Sequence, residues 1–226
     1  NKSGTELSKN ASRRNARSIR RLYDRYKQRR KILVKLFREL EMMPSEQMQN
    51  LPSMELYRLR KKALDEKISL QELGRIFLLL NQRRGFKSSK KSLNKNTEEA
   101  KELKGLYIQM EDNSNKMREA GARTIGEYFY SLYEKNKNLP NWHNPDEPVE
   151  RIRARFIYRK LYSDEFDKIW EFQQQFYPNA LTTENYKKIK ENCIFYQRPL
   201  KSQKHLVSRC RFEPNKRVAP KSSFEF

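Results

Sequence analysis

Five arginines set four residues apart, Arg13, Arg17, Arg21, Arg25 and Arg29, are the residues of this 226-residue sequence whose type and spacing most plainly suit them to chemistry. Arg14, Arg20 and Arg30 stand beside them. A guanidinium is planar, stays charged at physiological pH and offers a fork of N–H donors that matches two oxygens of a phosphate. On a helix, a four-residue step rises roughly 6 Å and turns about 40° beyond a full circle, so the five side chains form a slowly winding row spaced much like phosphates on a strand. The competing reading is a solvated face stitched by i, i+4 salt bridges. It lacks partners: from Ala11 to Glu41 there are twelve Lys or Arg against three acids, a net of +9. Like charges four apart repel, so the row is read as a surface for a polyanion, a nucleic-acid strand above all.

Residues 11–42 must form the element that carries this row. They contain no Gly or Pro, Ser12 is placed to cap a helix start, and Ala16, Ile19, Tyr23, Tyr26, Leu33, Phe37 and Leu40 recur on one helical face. Such a helix would run on the order of 45 Å. Before it, Asn1 to Asn10 reads as a loose lead-in; after it, Pro44 and Pro52 bracket a connector. Ser53 opens a helix to about Glu66, and the capping box Ser69–Glu72 opens another whose buried face includes Leu70, Leu73, Phe77 and Leu80, ending at Gly85. Further helices are expected from Thr97 to about Asn113, from a second box at Thr124–Glu127 to about Lys135, from Ser163-Asp164-Glu165 through Phe176, and from Thr183 to about Asn192. The loop LPNWHNPDEP separates them, with Trp142 read as a packing anchor rather than a base-stacking platform. Basic and apolar residues alternate from Arg151 to Phe156, which favours a short strand. The fold class is mainly α, with short strands or extended segments near 151–158 and 194–226. Residues 1–43 form one unit and 44–226 a helical second, with a possible sub-boundary near 137–150.

Composition narrows the partner. The chain carries +22, with pI near 10, mean hydropathy −1.08 and 36% hydrophobic residues, yet 12% aromatics, too many for a disordered chain of this charge. The longest apolar run, Ile76 to Leu80, has five residues, far short of a membrane span. Cys193, Cys210, His143 and His205 follow no zinc spacing, and two free thiols without a signal peptide suggest a reducing cytoplasm. No H-E-x-x-H, Gly-rich phosphate loop or paired strand-end carboxylates appear, so the chain reads as a binding module with no catalytic residue and no cofactor. A first residue other than Met suggests a piece of a longer polypeptide.

Two further basic stretches invite the same partner. Asn81 to Lys95 holds six bases and no acid, with Arg83 and Arg84 ahead of Gly85 and Phe86 available for stacking. A helix C-terminus that simply favours cations accounts for it equally well. From Ile194 to Phe226 there are eight bases against two acids. Arg198, Lys201, Lys204, Arg209 and Arg211 could clamp a backbone there, and a surface tail would look similar.

Four stretches together resemble the type II CRISPR-associated, RNA-guided DNA endonucleases, most closely the compact type II-C branch. SRRNARSIRRLYDRYKQRRKILVKLF is similar to that family's arginine-rich bridge helix, and LRKKALDEKISLQELGRIFLLLNQRRGF to the start of its recognition lobe. DEFDKIWEFQQQF resembles a later helix of that lobe, and IFYQRPLKSQKHLVSRCRFEP carries its Q-R-P-L and C-x-F-E-P elements. The resemblance implies that Arg14, Arg17, Arg21, Arg25 and Arg29 contact the guide RNA backbone, that Arg83, Arg84 and Phe86 lie near the repeat–anti-repeat duplex, and that Arg198 touches the same RNA. It implies as partners a guide of crRNA/tracrRNA type, its heteroduplex with target DNA, the nuclease lobe of a parent chain in a bacterial cytoplasm, and possible occupation by an acidic anti-CRISPR protein. Mg²⁺ belongs to the nuclease segments of that family, whose residues are absent from this sequence. The rival reading is a generic RNA-binding accessory protein.

Overall fold

A computed structural model describes residues 9–86, 98–136 and 155–194. The Trp142 loop, Arg151 to Ala154, His143, His205, Cys210, Arg198, Lys201, Lys204, Arg209 and Arg211 lie outside the described residues. Within them the chain is helical: α1 (Lys9–Glu39), α2 (Glu46–Gln49), α3 (Ser53–Lys62), α4 (Leu70–Gln82), α5 (Glu98–Glu119), α6 (Ile125–Asn136), α7 (Arg159–Gln174) and α8 (Thr183–Cys193). Where a strand was expected near 151–158, the described part shows one isolated parallel bridge, Phe86 to Tyr158.

The body is built around α4. From Leu73 to Asn81 every residue of it is buried, as befits a helix apolar on all sides. Phe77 projects into a ring cluster, 4.7 Å from Phe166, 5.9 Å from Trp170 and 6.5 Å from Phe37 between centroids. Each such side chain contributes roughly 1.5–3 kcal/mol by leaving water. The Ser69–Glu72 capping box is present in full: Ser69 Oγ accepts from the Glu72 N–H at 3.2 Å, and Glu72 Oε2 accepts from the Ser69 N–H at 2.8 Å.

Two devices dock α1 on this body. Leu33 and Phe37 are buried in the common core. The helix then stops in a Schellman turn: Glu41 takes φ 56°, the Met42 N–H donates to Phe37 O at 2.8 Å, and the Phe37 and Met42 side chains are both buried. Met42 passes directly over Gly74 of α4, where any Cβ would collide with the Met42 carbonyl.

Several sequence expectations shift. Ser12 lies inside α1, which already runs from Lys9, and caps nothing. α5 extends six residues beyond the expected Asn113, to Glu119. α7 starts at Arg159, with Tyr158 as an N-cap that makes no side-chain bond, so Ser163-Asp164-Glu165 falls within the helix. Thr124 Oγ1 accepts from the Glu127 N–H as a cap should, but the Glu127 carboxylate reaches one residue further back, to the Arg123 N–H at 2.8 Å. The cap of α4 is Arg83, and Gly85 serves the close approach described below.

Candidate nucleic-acid interface

α1 has two unlike parts. From Leu33 onward its apolar residues enter the core; before Arg29 they do not. Ile19 is 56% exposed, Leu22 63% and Tyr23 59%, and Ala16 is exposed too. The stripe expected to bury one face along the whole helix therefore meets the body only over its last third. The exposed part displays Arg13, Arg14, Arg17, Arg20, Arg21 and Arg25. None of the six forms a salt bridge among the described residues; the Arg17 Nε–H donates to the Arg13 carbonyl at 3.3 Å, one turn back. The ion pair that α1 does make, Lys35 with Glu39 at 3.8 Å, lies at its other end.

The winding of the row explains its last member. Four steps of about 40° carry the arginines roughly 160° around the axis. Arg17 thus stands nearly opposite the core-facing line of Leu33 and Phe37, whereas Arg29 has come round beside it. Arg29 is accordingly 4% exposed and Arg30 half-buried, so the outer row ends at Arg25.

Arg29 meets the exit of α4. Arg84 is half-buried, and burial, with the charges of Arg29 and Arg159 adding to it, pushes its guanidinium down to about 10. Arg83 turns the other way, donating from Nη1 to the Tyr57 hydroxyl at 3.4 Å. The Phe86 ring stands edge-on to Tyr107, centroids 6.0 Å apart, so it already has a packing partner. Next to this group, Arg75 is held by Met48 O at 2.8 Å and Gln49 O at 3.3 Å, and burial first, then the charge of Arg30, lowers its pKa.

The structure therefore gathers Arg29 and Arg84 and leaves the outer row apart from them, along α1. Sequence reasoning missed Arg75 and Arg159. A signal for Arg159 existed: the helix it opens carries Arg and Lys, and no acid, in its first turn. Among the described residues no group of three or more His, Cys, Asp or Glu could hold a metal ion, and none supplies a seat for Mg²⁺. Cys193 is buried in apolar surroundings, which push its thiol far up, as expected of a packing residue. No described helix is long and apolar enough to cross a membrane.

No protein-family profile matches the chain. The CRISPR-associated endonuclease Cas9 of Campylobacter jejuni subsp. jejuni serotype O:2 is 30% identical over 172 residues, covering 74% of this chain and 16% of that protein. A crystal structure of Campylobacter jejuni Cas9 in complex with sgRNA and target DNA superposes at TM-score 0.62 and 22% identity, over 88% of this chain and 26% of that one. A cryo-EM St1Cas9–sgRNA–tDNA59–ntPAM complex gives TM-score 0.62 and 25% identity, over 86% and 21%. A dimeric St1Cas9–sgRNA–tDNA20–AcrIIA6 assembly gives 0.61 and 24%, over 87% and 22%. The chain thus spans about a sixth of the curated relative's length.

Proposed function

This chain is homologous to a segment of the CRISPR-associated endonuclease Cas9, and from that premise we propose that it is the part which grips the guide RNA. In this reading residues 1–43 contribute the bridge helix and residues 44–226 the recognition lobe, and the chain itself is non-catalytic. The observation that carries it is the exposed row Arg13, Arg17, Arg21 and Arg25, with Arg14 and Arg20 beside it, on a helix whose own fold supplies those six with no carboxylate among the described residues.

Guanidiniums held on a rigid rod reach phosphates without losing much freedom on contact, so the RNA strand they grip is ordered before it pairs. Sequence discrimination then belongs to base pairing between guide and target; the protein contributes charge and shape. Arg83, Arg84, Phe86, Arg198, Lys201 and Lys204 extend the RNA surface in this reading, the last three by resemblance alone.

Changing Arg21 and Arg25 together to Ala tests the proposal. Guide-RNA affinity should fall, and the slope of log K against log salt should become shallower by about 1.4–1.8, the value of two phosphate contacts. Unchanged affinity and slope would remove the role assigned to the row. A generic RNA-binding protein would hold unrelated structured RNA as tightly as a guide in direct competition. A bound protein that survives nuclease treatment would instead favour an acidic inhibitor on the same surface.

A further inference from the structure

Arg29, Arg84 and Arg159 come from three distant stretches of sequence and meet at the foot of α1. Gly85 is one reason. It takes φ 73°, and a Cβ there would lie 2.8 Å from Ile157 O and 2.9 Å from Arg159 Cα. The Phe86 N–H donates to Ile157 O at 2.8 Å, and the Arg159 N–H donates to Phe86 O at 3.0 Å. Arg84 and Arg159 are thereby fixed on adjoining backbones, and Arg29 enters from α1.

This gathering is costly to the empty fold. Arg159 is half-buried; its Nη2 donates to Gly85 O at 3.3 Å, but its Nε is buried without a hydrogen-bond partner among the described residues. Burial lowers its pKa, and neither it nor Arg84 has a carboxylate partner among the described residues. The backbone of α7 adds to the mismatch. That helix begins at Arg159, followed by Lys160, with no side-chain cap and no acid in its first turn. A helix N-terminus carries positive partial charge and favours anions, so two cations there oppose its dipole. Desolvation, mutual repulsion and the dipole all have one sign, and a single tetrahedral oxyanion offsets all three.

We propose that Arg29, Arg84 and Arg159 form one seat for a phosphate, with Arg159 as its third arm, and that filling the seat fastens the foot of α1 to the helical body. The proposal rests on the RNA-binding reading for the source of the phosphate, a diester of the bound strand. It adds a contact residue that no motif marks and couples RNA loading to the stability of the α1 junction, because any ligand of the folded state alone stabilises that state.

The test uses the 226-residue chain, with pyrophosphate as the probe and sodium chloride of equal ionic strength as the reference. The wild-type Tm should rise with pyrophosphate by about 5–10 °C at roughly a hundredfold excess over the dissociation constant. Arg159→Gln and Arg84→Gln should each lose that pyrophosphate-specific rise, and Arg118→Gln, on the exposed side of α5, should keep it. Without anion, Arg159→Gln should melt no lower than wild type. The proposal is overturned if wild type responds no more to pyrophosphate than to chloride, if both seat variants respond as wild type does, or if Arg159→Gln does not fold.

Guide-RNA affinity separates this proposal from the one beneath it. Arg159→Gln should weaken binding about ten- to a hundredfold, the worth of one charge-assisted contact. If the Arg21 and Arg25 double variant loses RNA while Arg159→Gln keeps the pyrophosphate response, the seat falls and the row stands. If the response is lost in Arg159→Gln while the double variant still binds RNA fully, the seat stands and the row falls.

Discussion

Glu165 is completely buried, and its carboxylate accepts from Arg60 Nε and Nη2 at 2.6 Å each and from the Gly126 N–H at 3.1 Å. One side chain of α7 thus ties down α3 and the start of α6. Arg60 is 1% exposed, and its guanidinium is flanked by the Tyr57 and Tyr162 rings, 5.2 and 5.8 Å from the centroids. Removing one member leaves the other charged and dry, which costs about 3–5 kcal/mol. Glu165→Ala should therefore lower the urea midpoint by that amount, and replacing both residues by Met should cost less than the single change. A loss under about 1 kcal/mol in the single variant would show the pair to be dispensable. In the sequence, Glu165 read as part of a helix cap, because Ser-Asp-Glu is an ordinary start signal. Its real partner lies 105 residues earlier, and no local pattern encodes that distance. The arginine row was legible because both its chemistry and its spacing are local; the burial of Arg29 was not, because it depends on where the body lies.

At the scale of elements, α1 is a helix whose last third is packed and whose first two-thirds stand in solvent. Helices without tertiary contact are marginal in water, and like charges at i, i+4 weaken this one further. Amide hydrogen exchange should show residues 9–25 exchanging orders of magnitude faster than Leu33 to Phe37 in the free chain, and slowing when guide RNA is added. Equal protection of both parts without RNA would contradict the division. The apolar periodicity found the helix but could not show that Ile19 and Tyr23 lack a core to enter, since periodicity reports a face and not what covers it. A second tie between elements responds to pH. Arg123 donates to both oxygens of Asp65 at 2.6 and 2.7 Å and also bonds Glu127, joining the end of α3 to α6. The hydrogen bond from Arg123 holds the Asp65 carboxyl below its usual range; for Glu127 burial pulls upward, but the Arg123 bonds and charge outweigh it. Folded values depressed in this way mean stability that is present above the ordinary carboxyl range near 4 and lost as pH falls through the lower folded values. Tm should accordingly drop below about pH 4, and Arg123→Gln should flatten that drop by removing its source. An unchanged acid limb in the variant would refute the assignment.

For the whole molecule, +22 on 226 residues is the dominant fact. A helical body with a thin core fixes one end of a charged rod, and the outer arginines of that rod have no carboxylate among the described residues to neutralise them. Family resemblance, composition and the homologous relative agree on the kind of ligand such a surface serves. The number of phosphates engaged is what the account commits to. If about 6–10 are neutralised, guide-RNA affinity should fall roughly 10³–10⁵-fold between about 50 and 200 mM salt. A salt titration of the chain with a guide RNA reads this directly. A steep linear decline of log K against log salt is expected, and affinity that barely changes over that range would contradict the claim that the arginine rod holds an RNA backbone.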